Sequence, residues 1–346
     1  MLPLSEIHAV RTTVDDEWRS PVADAVAARW GIPPGAARYW RSSASHVFVV
    51  PPGVDDRGVL YVRFVPAALR SRRSVEAPAA LLAAVGAQGG VVEPLPSLDG
   101  ALVETVRTPS GDAHAVVVPE APGREHDVDD LTPQGASDWG AALARFHLAA
   151  APHAALVSDV AGAAATGSRN GGDPWATLAL RSAEAGDDAL AEAAVRLSAP
   201  WGQVTQRLPG GVLHGDFELD NVRGEGRHMV AFDVDETCVG PYVLDVAVAV
   251  RDLVGTGTVD DPRYPALLAA FLEGYGRTRP VLDAERHALA LSGPVVAARS
   301  LVHGHGVLDA GDAPDDPGWL AELRRRLDAH HDQARKVVLA ASSTLD

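Results

Sequence analysis

The stretch from Gly210 to Ala247 reads "GGVLHGDFELDNVRGEGRHMVAFDVDETCVGPYVLDVA". A short apolar run, Val212–Leu213, stops at His214 and is followed by Asp216 and, five residues on, Asn221. A second run, ending at Phe232, stops at Asp233, with Asp235 and Glu236 close behind. Apolar strands that end abruptly in carboxylates present them to something cationic. A hard cation such as Mg2+ takes oxygen ligands, commonly one or two protein carboxylates completed by phosphate and water. This set suits that chemistry. Asp216 would accept the proton of an attacking hydroxyl, while Asn221 and Asp233 hold a cation against the transferring phosphate, the division of labour used by protein kinases. The ordinary alternatives are a turn-capping Asp216 and local turn hydrogen bonds by Asn221 and Asp233. Asp235 could reach a second cation or face solvent.

Composition narrows the classes. The chain has 346 residues, enough for two lobes each with a core, and is 47% hydrophobic and 22% charged. A formal net charge of −16 argues against a nucleic-acid partner, which would require a basic face. It leaves room for a nucleotide, which needs one local basic point. Cys238 is the single cysteine, so no internal disulfide forms and a reducing compartment fits. No uncharged run of about 18 apolar residues suggests a membrane span, and Glu6, Asp15, Asp16 and Glu17 interrupt any secretory pattern. The expectation is a cytoplasmic protein with no membrane partner. Lys336 is the only lysine, so any role that falls to a buried lysine elsewhere must fall to arginine. Walker A, Gly-x-Gly-x-x-Gly and His-Glu-x-x-His patterns are all absent.

Working outward, Val14, Trp18, Val22, Val26 and Trp30 recur at four-residue steps and predict a helix over 12–30. Strand-like runs cover Ala37–Val50 and Val59–Val65, a helical stretch Arg72–Val85, and a hairpin turns at Pro109–Gly111. "EAPGRE" (Glu120–Glu125) is a breaker cluster and a plausible hinge. Beyond it helical periodicity dominates: Trp139, Leu143, Phe146 and His147 share a face, Gly162–Pro174 is a small polar loop, and 175–208 is helical again. The fold class is α+β. A small β-rich lobe with one inserted helix, residues 1–118, precedes a larger, mainly helical lobe, residues 119–346.

"LHGDFELDNV" (Leu213–Val222) followed by "VAFDVDETCVGPYVLDVA" (Val230–Ala247) resembles the aminoglycoside phosphotransferase family, which includes homoserine and choline kinases and shares the protein-kinase-like two-lobed fold. The resemblance implies ATP as cofactor, with GTP open, Mg2+, and transfer of the γ-phosphate to a hydroxyl of a small acceptor, amine-bearing ones among them. It implies Asp216 as the catalytic residue and Asn221, Asp233 and Asp235 as metal ligands. His214 would pack beneath the loop, hydrogen-bonded to backbone, and Asp245 would hold the loop's backbone N–H groups. Upstream, "VLYVRFV" (Val59–Val65) resembles the strand that carries a phosphate-binding cation, here Arg63, with Glu76 as its helix partner. Backbone groups around Val118 and Glu120 would meet the base. Ser43 and Ser45 would donate to phosphates, or form an ordinary polar turn.

Two other readings stay open at this level. A protein Ser/Thr kinase is disfavoured because Gly215 stands where those enzymes carry arginine and no Ala-Pro-Glu follows Asp233. A catalytically inactive nucleotide-binding module is disfavoured by the intact Asp216, Asn221 and Asp233. The acid excess from Pro209 onward would suit a cationic acceptor, or be an ordinary solvated surface.

Overall fold

A computed structural model describes residues 1–161, 174–254, 261–309 and 316–345. The loop expected at Gly162–Pro174 lies, except for Pro174, outside the described residues. The chain packs as two compact units, one of Met1–Ala83, Val92–Glu120 and Gly304–Ala329, the other of Ala84–Val91, Ala121–His303 and His330–Asp346.

The first unit opens with α1 (Leu4–Arg11) and α2 (Pro21–Ala27), not with one helix over 12–30. Apolar spacing is overruled there by chemistry at the joint. Trp18 takes a left-handed φ of 65°, and Ser20 caps α2, its side chain accepting from Val22 N–H with Pro21 in the first turn. Serine at the cap and proline just inside are the residues that start a helix.

An antiparallel sheet follows, built from β1 (Arg38–Ser42), β2 (His46–Val50) and β3 (Leu60–Pro66). After α3 (Arg72–Gly89) it adds β4 (Glu104–Thr108) and β5 (Gly111–Pro119), giving the order β1-β2-β3-β5-β4. Along β3, Leu60, Val62 and Phe64 are buried while Tyr61 and Arg63 are half-buried on the other face, the period-two alternation of a strand. The buried face meets Val22, Val26 and Trp30, together with Phe48, Val106 and Val117. Each such side chain contributes about 1.5–3 kcal/mol on burial. Leu2, Leu4 and Ile7 pack with Val307 and Leu320 in a separate cluster.

The second unit is helical around short ladders. It contains α4 (Pro133–Ala150), α5 (Ala154–Ala161), α6 (Trp175–Glu184), α7 (Asp188–Thr205), α8 (Tyr242–Ala249), α9 (Tyr264–Thr278), α10 (Asp283–Ala290), most of α11 (Gly293–Gly304) and the later turns of α12 (Gly318–Ser343). Strand β6 (Gly210–Leu213) pairs antiparallel with β9 (Cys238–Pro241), and β7 (Val222–Arg223) with β8 (Val230–Ala231). Its core joins Trp175, Leu197 and Trp201 to Leu213, Leu244, Val295 and Val338. Helices α4 and α9 approach closely at Gly274, where a Cβ would fall 1.9 Å from the Ser137 carbonyl. That approach sets the next residue, Tyr275, against His147 of α4. Among the described residues no helix is long and apolar enough to cross a membrane.

Candidate active site

The centre of the opening motif is a loop held from below. After β6 the chain turns at Gly215, with φ 88°, and a Cβ there would meet the Glu236 carbonyl at 2.1 Å. Only glycine fits such a turn, and for that reason no arginine can stand at this position. Asp245, on α8, accepts the N–H groups of His214 at 2.7 Å and Gly215 at 2.8 Å, the support expected of it. Its Oδ2 also lies 2.9 Å from His147 Nε2, and His147 Nδ1 is 2.7 Å from the Tyr275 hydroxyl. Arg279 donates to that hydroxyl at 3.2 Å and to Glu285 at 2.9 Å. Burial alone would raise the Asp245 carboxyl, but His147, His214 and the Gly215 amide outweigh it and hold the group below the usual carboxylate range. Burial keeps the His147 imidazole below its ordinary value, against the pull of Asp245. The pair therefore rests as a carboxylate and a neutral imidazole whose Nε2–H donates to it.

His214 departs from expectation in one respect. Its ring is buried edge-on against Phe146 and Phe217, with centroids 5.3 and 5.1 Å away. Neither ring nitrogen has a hydrogen-bond partner, so the backbone bond expected of it is not formed. The ring acts as an apolar wedge, and burial lowers its pKa.

Above this floor the structure joins Asp216 directly to Asn221. The Asn221 amide donates from Nδ2 to the Asp216 backbone carbonyl at 2.9 Å and to its Oδ2 at 3.0 Å. Both of these bonds use the Nδ2 end, so the Asn221 Oδ1 is the side chain's accepting atom. The Phe232 N–H donates to the Asn221 carbonyl at 3.0 Å, and Val222 pairs with Ala231, so the Asp233 turn is stitched to the Asp216 loop. Thr237 closes the turn from the far side, its hydroxyl donating to the Leu213 carbonyl at 2.7 Å. Asp233 itself takes φ 64°, a left-handed conformation that costs a non-glycine residue about 1–3 kcal/mol and is retained only where the surroundings fix it. Val234 is buried, while Asp233 and Asp235 on either side are half-buried.

The donor set fits a hard divalent cation. Asn221, Asp233 and Asp235 offer only oxygens, and among the described residues no group of three or more His, Cys, Asp or Glu side chains is placed to hold a metal ion. A cation at such a site draws the rest of its shell from phosphate and water, which is how Mg2+ is usually bound.

Two neighbours of this loop escaped the sequence reading. Glu218, two residues after Asp216, lies close enough for the Asp216 carboxylate to act on its own carboxyl. Arg251, just past α8, grips that carboxyl with both ends of its fork, Nη2 to Oε2 at 2.5 Å and Nη1 to Oε1. Burial, and then Asp216 beside it, push the Glu218 carboxyl up to about 9, with Arg251 pulling the other way. The available signal was an acid two residues after another acid in a motif whose neighbours are apolar.

The expected nucleotide residues lie in the first unit. Arg63 sits on β3 opposite Val47 of β2 and Val116 of β5, and its Nε donates to the buried Ser45 hydroxyl at 3.3 Å. Ser43 is fixed by its backbone, its N–H bonded to the Ser45 carbonyl at 3.0 Å and its carbonyl to Leu2 N–H at 2.6 Å. The partner of Glu76 is Arg72, one turn earlier on α3 at 2.6 Å, in place of the Arg63 expected for it. Val118 pairs with Tyr61 in the sheet, and the Glu120 N–H bonds the Val59 carbonyl at 2.9 Å.

Comparison with known proteins follows the same lines. A homoserine kinase of Caulobacter vibrioides is 26% identical over 250 residues, 69% of this chain and 73% of that protein. One of Neisseria meningitidis serogroup B is 39% identical over 82 residues, 23% of this chain, and that match spans 26% of the relative's length. Among solved structures, amicoumacin kinase hAmiN, in complex with AMP-PNP, Ca2+ and Ami, superposes with a TM-score of 0.65 at 16% identity, covering 95% of this chain and 96% of that one. A microcompartment-associated aminopropanol kinase gives 0.56 at 16%, covering 93% and 97%. At such identities the likeness is one of fold, that of the small-molecule kinases. The profile of the phosphotransferase enzyme family matches residues 42–286, and by that match the chain belongs to this family.

Proposed function

We propose that the protein is an ATP-dependent kinase that transfers the γ-phosphoryl group to a hydroxyl of a small, amine-bearing acceptor, with Mg2+ as the divalent ion, in the cytoplasm. The observation that carries the proposal is the Asp216–Asn221 bonding, which aims one carboxylate and one amide oxygen from a loop fixed by Asp245. When bound, MgATP supplies the phosphoryl group and screens its charge. The chain's own residues do the rest. Asp216 orients the acceptor hydroxyl and takes its proton. Asn221 and Asp233, with Asp235 beside them, hold the cation. Arg63 and the Ser45 hydroxyl face the nucleotide phosphates, Ser43 shapes that turn, Glu76 stands by as a counter-charge, and the backbone at Val118 and Glu120 borders the base. Residues 1–118 then act as the nucleotide lobe and 119–346 as the acceptor lobe.

The direct test is phosphate transfer from γ-labelled ATP and GTP to a panel of aminoglycosides, aminoalcohols, homoserine and sugars, with and without Mg2+. Binding of MgATP with no transfer to any acceptor, and none to water, would instead identify an inactive nucleotide-binding module. On the nucleotide side, Asn221→Ala and Asp233→Ala are expected to weaken Mg2+-dependent ATP binding, and Arg63→Ala to raise the KM for ATP. Each change should be about tenfold or more, the loss of one charge-assisted contact of 1.5–3 kcal/mol. Isothermal titration at varied Mg2+ reads the first two, and an unchanged metal requirement would remove them from the site.

A further inference from the structure

We propose that Glu6 and His46 are positioning residues for nucleotide binding: through them the N-terminal helix α1 clamps the turn between β1 and β2 and sets the affinity for ATP. This deepens the kinase reading above and rests on it, since that reading places Ser45 and Arg63 at the phosphates. Ser42 and His46 are the last pair of the β1–β2 ladder, so they form the stem from which the turn at 43–45 projects. His46 Nδ1 lies 2.8 Å from the Ser42 hydroxyl, and its Nε2 lies 3.1 Å from Oε1 of Glu6 on α1. A carboxylate only accepts, so Nε2 carries the proton and Nδ1 accepts from Ser42. The Tyr39 hydroxyl completes the chain by donating to Ser42 at 3.3 Å. The imidazole is fully buried and packs on Phe64 of β3, with ring centroids 5.2 Å apart. A serine, a histidine and an acid in a row also suggest a hydrolytic triad, but a ring with no exposed edge cannot pass a proton to a substrate. The chain of bonds holds position.

The N-terminal segment reaches the same turn a second time. Just before α1, the Leu2 N–H donates to the Ser43 carbonyl at 2.6 Å. Helix α1 has its own anchor. The Leu4 N–H donates to the Val307 carbonyl at 2.8 Å, and Ser5 donates to Asp309 from both its N–H and its hydroxyl. Leu2, Leu4 and Ile7 pack with Val307 and Leu320 beside these bonds. The turn is thus fastened at its stem and near its tip to a segment that is itself fastened to residues 304–329, all within one compact unit. Between the two fastenings stands Ser45, buried, with its hydroxyl accepting from Arg63 Nε at 3.3 Å. Groups that are already ordered bind more tightly, because the entropy of ordering them is not lost on binding. A brace serving stability alone could join α1 to the sheet anywhere. Both of these joints fall on the one turn expected to meet phosphate.

Isothermal titration with MgATP needs no acceptor and reads the clamp directly, with Tm in the absence of nucleotide measured beside it. Wild type, Glu6→Ala, Glu6→Gln, His46→Phe and Ser5→Ala are compared as full chains. Glu6→Ala and His46→Phe should each raise the Kd for MgATP about three- to tenfold, the scale of one hydrogen bond's net contribution. Glu6→Gln should recover most of that loss, because its amide oxygen still accepts from Nε2–H. Ser5→Ala loosens α1 at its joint with Asp309, away from the turn, and should leave the Kd within about twofold of wild type. A Kd unchanged in Glu6→Ala would overturn the inference and reduce Glu6 to a brace, whatever happens to Tm. An equal rise in Ser5→Ala would overturn it too, since any loosening of α1 would then have the same effect. Should His46→Phe fail to fold, the Glu6 variants decide between these outcomes. Both negative results leave the kinase reading intact, whereas a wild type that does not bind MgATP would remove that reading and this inference with it.

Discussion

Replacing Asp216 by alanine is expected to lower turnover at least about a hundredfold, the lower end of what a positioned general base contributes, while ATP binding is largely kept. The second half of that expectation follows from the local bonding. Asn221 donates to Asp216 twice, once to the carboxylate and once to the backbone carbonyl. The carbonyl survives the substitution, so Asn221 stays oriented and its oxygen stays available. A hundredfold corresponds to about 2.7 kcal/mol in the barrier. Asp216→Asn provides the sharper control, because the amide fills the same space without accepting the proton. The neighbouring Glu218 could partly substitute as a base in Asp216→Ala, so the double variant with Glu218→Gln should fall below either single one. Steady-state kinetics with saturating ATP measure kcat for all four. Turnover within about tenfold of wild type in the double variant, less than general acid–base catalysis ordinarily contributes, would mean that no carboxylate in this loop takes the proton.

Why this loop was legible in sequence while its neighbours were not has a physical explanation. Residues 213–222 and 230–247 stand out because each structural demand there leaves few choices of side chain. Gly215 must lack a Cβ against the Glu236 carbonyl, Asp245 must accept two amides, and Asn221 must both donate and offer an oxygen. The sheet was equally legible because β3 alternates cleanly, with Leu60, Val62 and Phe64 buried. Helix boundaries near the N-terminus were not, since apolar spacing at Val14 and Trp18 mimicked a helix that Ser20 and Pro21 restart. Pairings between residues distant in sequence were the least accessible. Glu76 takes Arg72, four residues away on the same helix, the local pair that helical spacing favours, and nothing in the order of residues joins it to the distant Arg63. Nor does it say that Arg251 reaches back 33 positions to Glu218. Long flexible side chains choose partners by proximity in the folded state, and proximity is not written in a periodic pattern.

Asp245→Ala is expected to be the most damaging substitution for stability, and its effect on activity should follow from the same cause. The carboxylate is fully buried and engages three groups at once: the amides of His214 and Gly215, and His147 Nε2. Removing it leaves two loop N–H groups and an imidazole without their acceptor. Each buried donor left unsatisfied costs about 1–3 kcal/mol, and the loss of all three lowers the Tm of a unit of this size by about 10 °C or more. Asp245→Asn should be intermediate, because one amide oxygen can still accept a loop N–H while the NH2 group opposes the other. Dependence on pH gives an independent reading of the same network. His147 and His214 are buried with lowered pKa values, and Asp245 is held below the usual carboxylate range. Groups with depressed folded-state values bind more protons when unfolded, so stability rises with pH through their titration. It is full above the unfolded histidine value of about 6.5 and is lost progressively as the solution is acidified below it. A second loss follows at lower pH as the unfolded carboxylate of Asp245 begins to protonate. Calorimetric Tm measured from neutral to mildly acid pH should therefore fall for the wild type and fall less steeply for His147→Phe or His214→Phe, each of which removes one titrating group. A Tm that rises on acidification across that interval would mean that the two rings are charged in the folded chain, and that Asp245 is braced by an imidazolium.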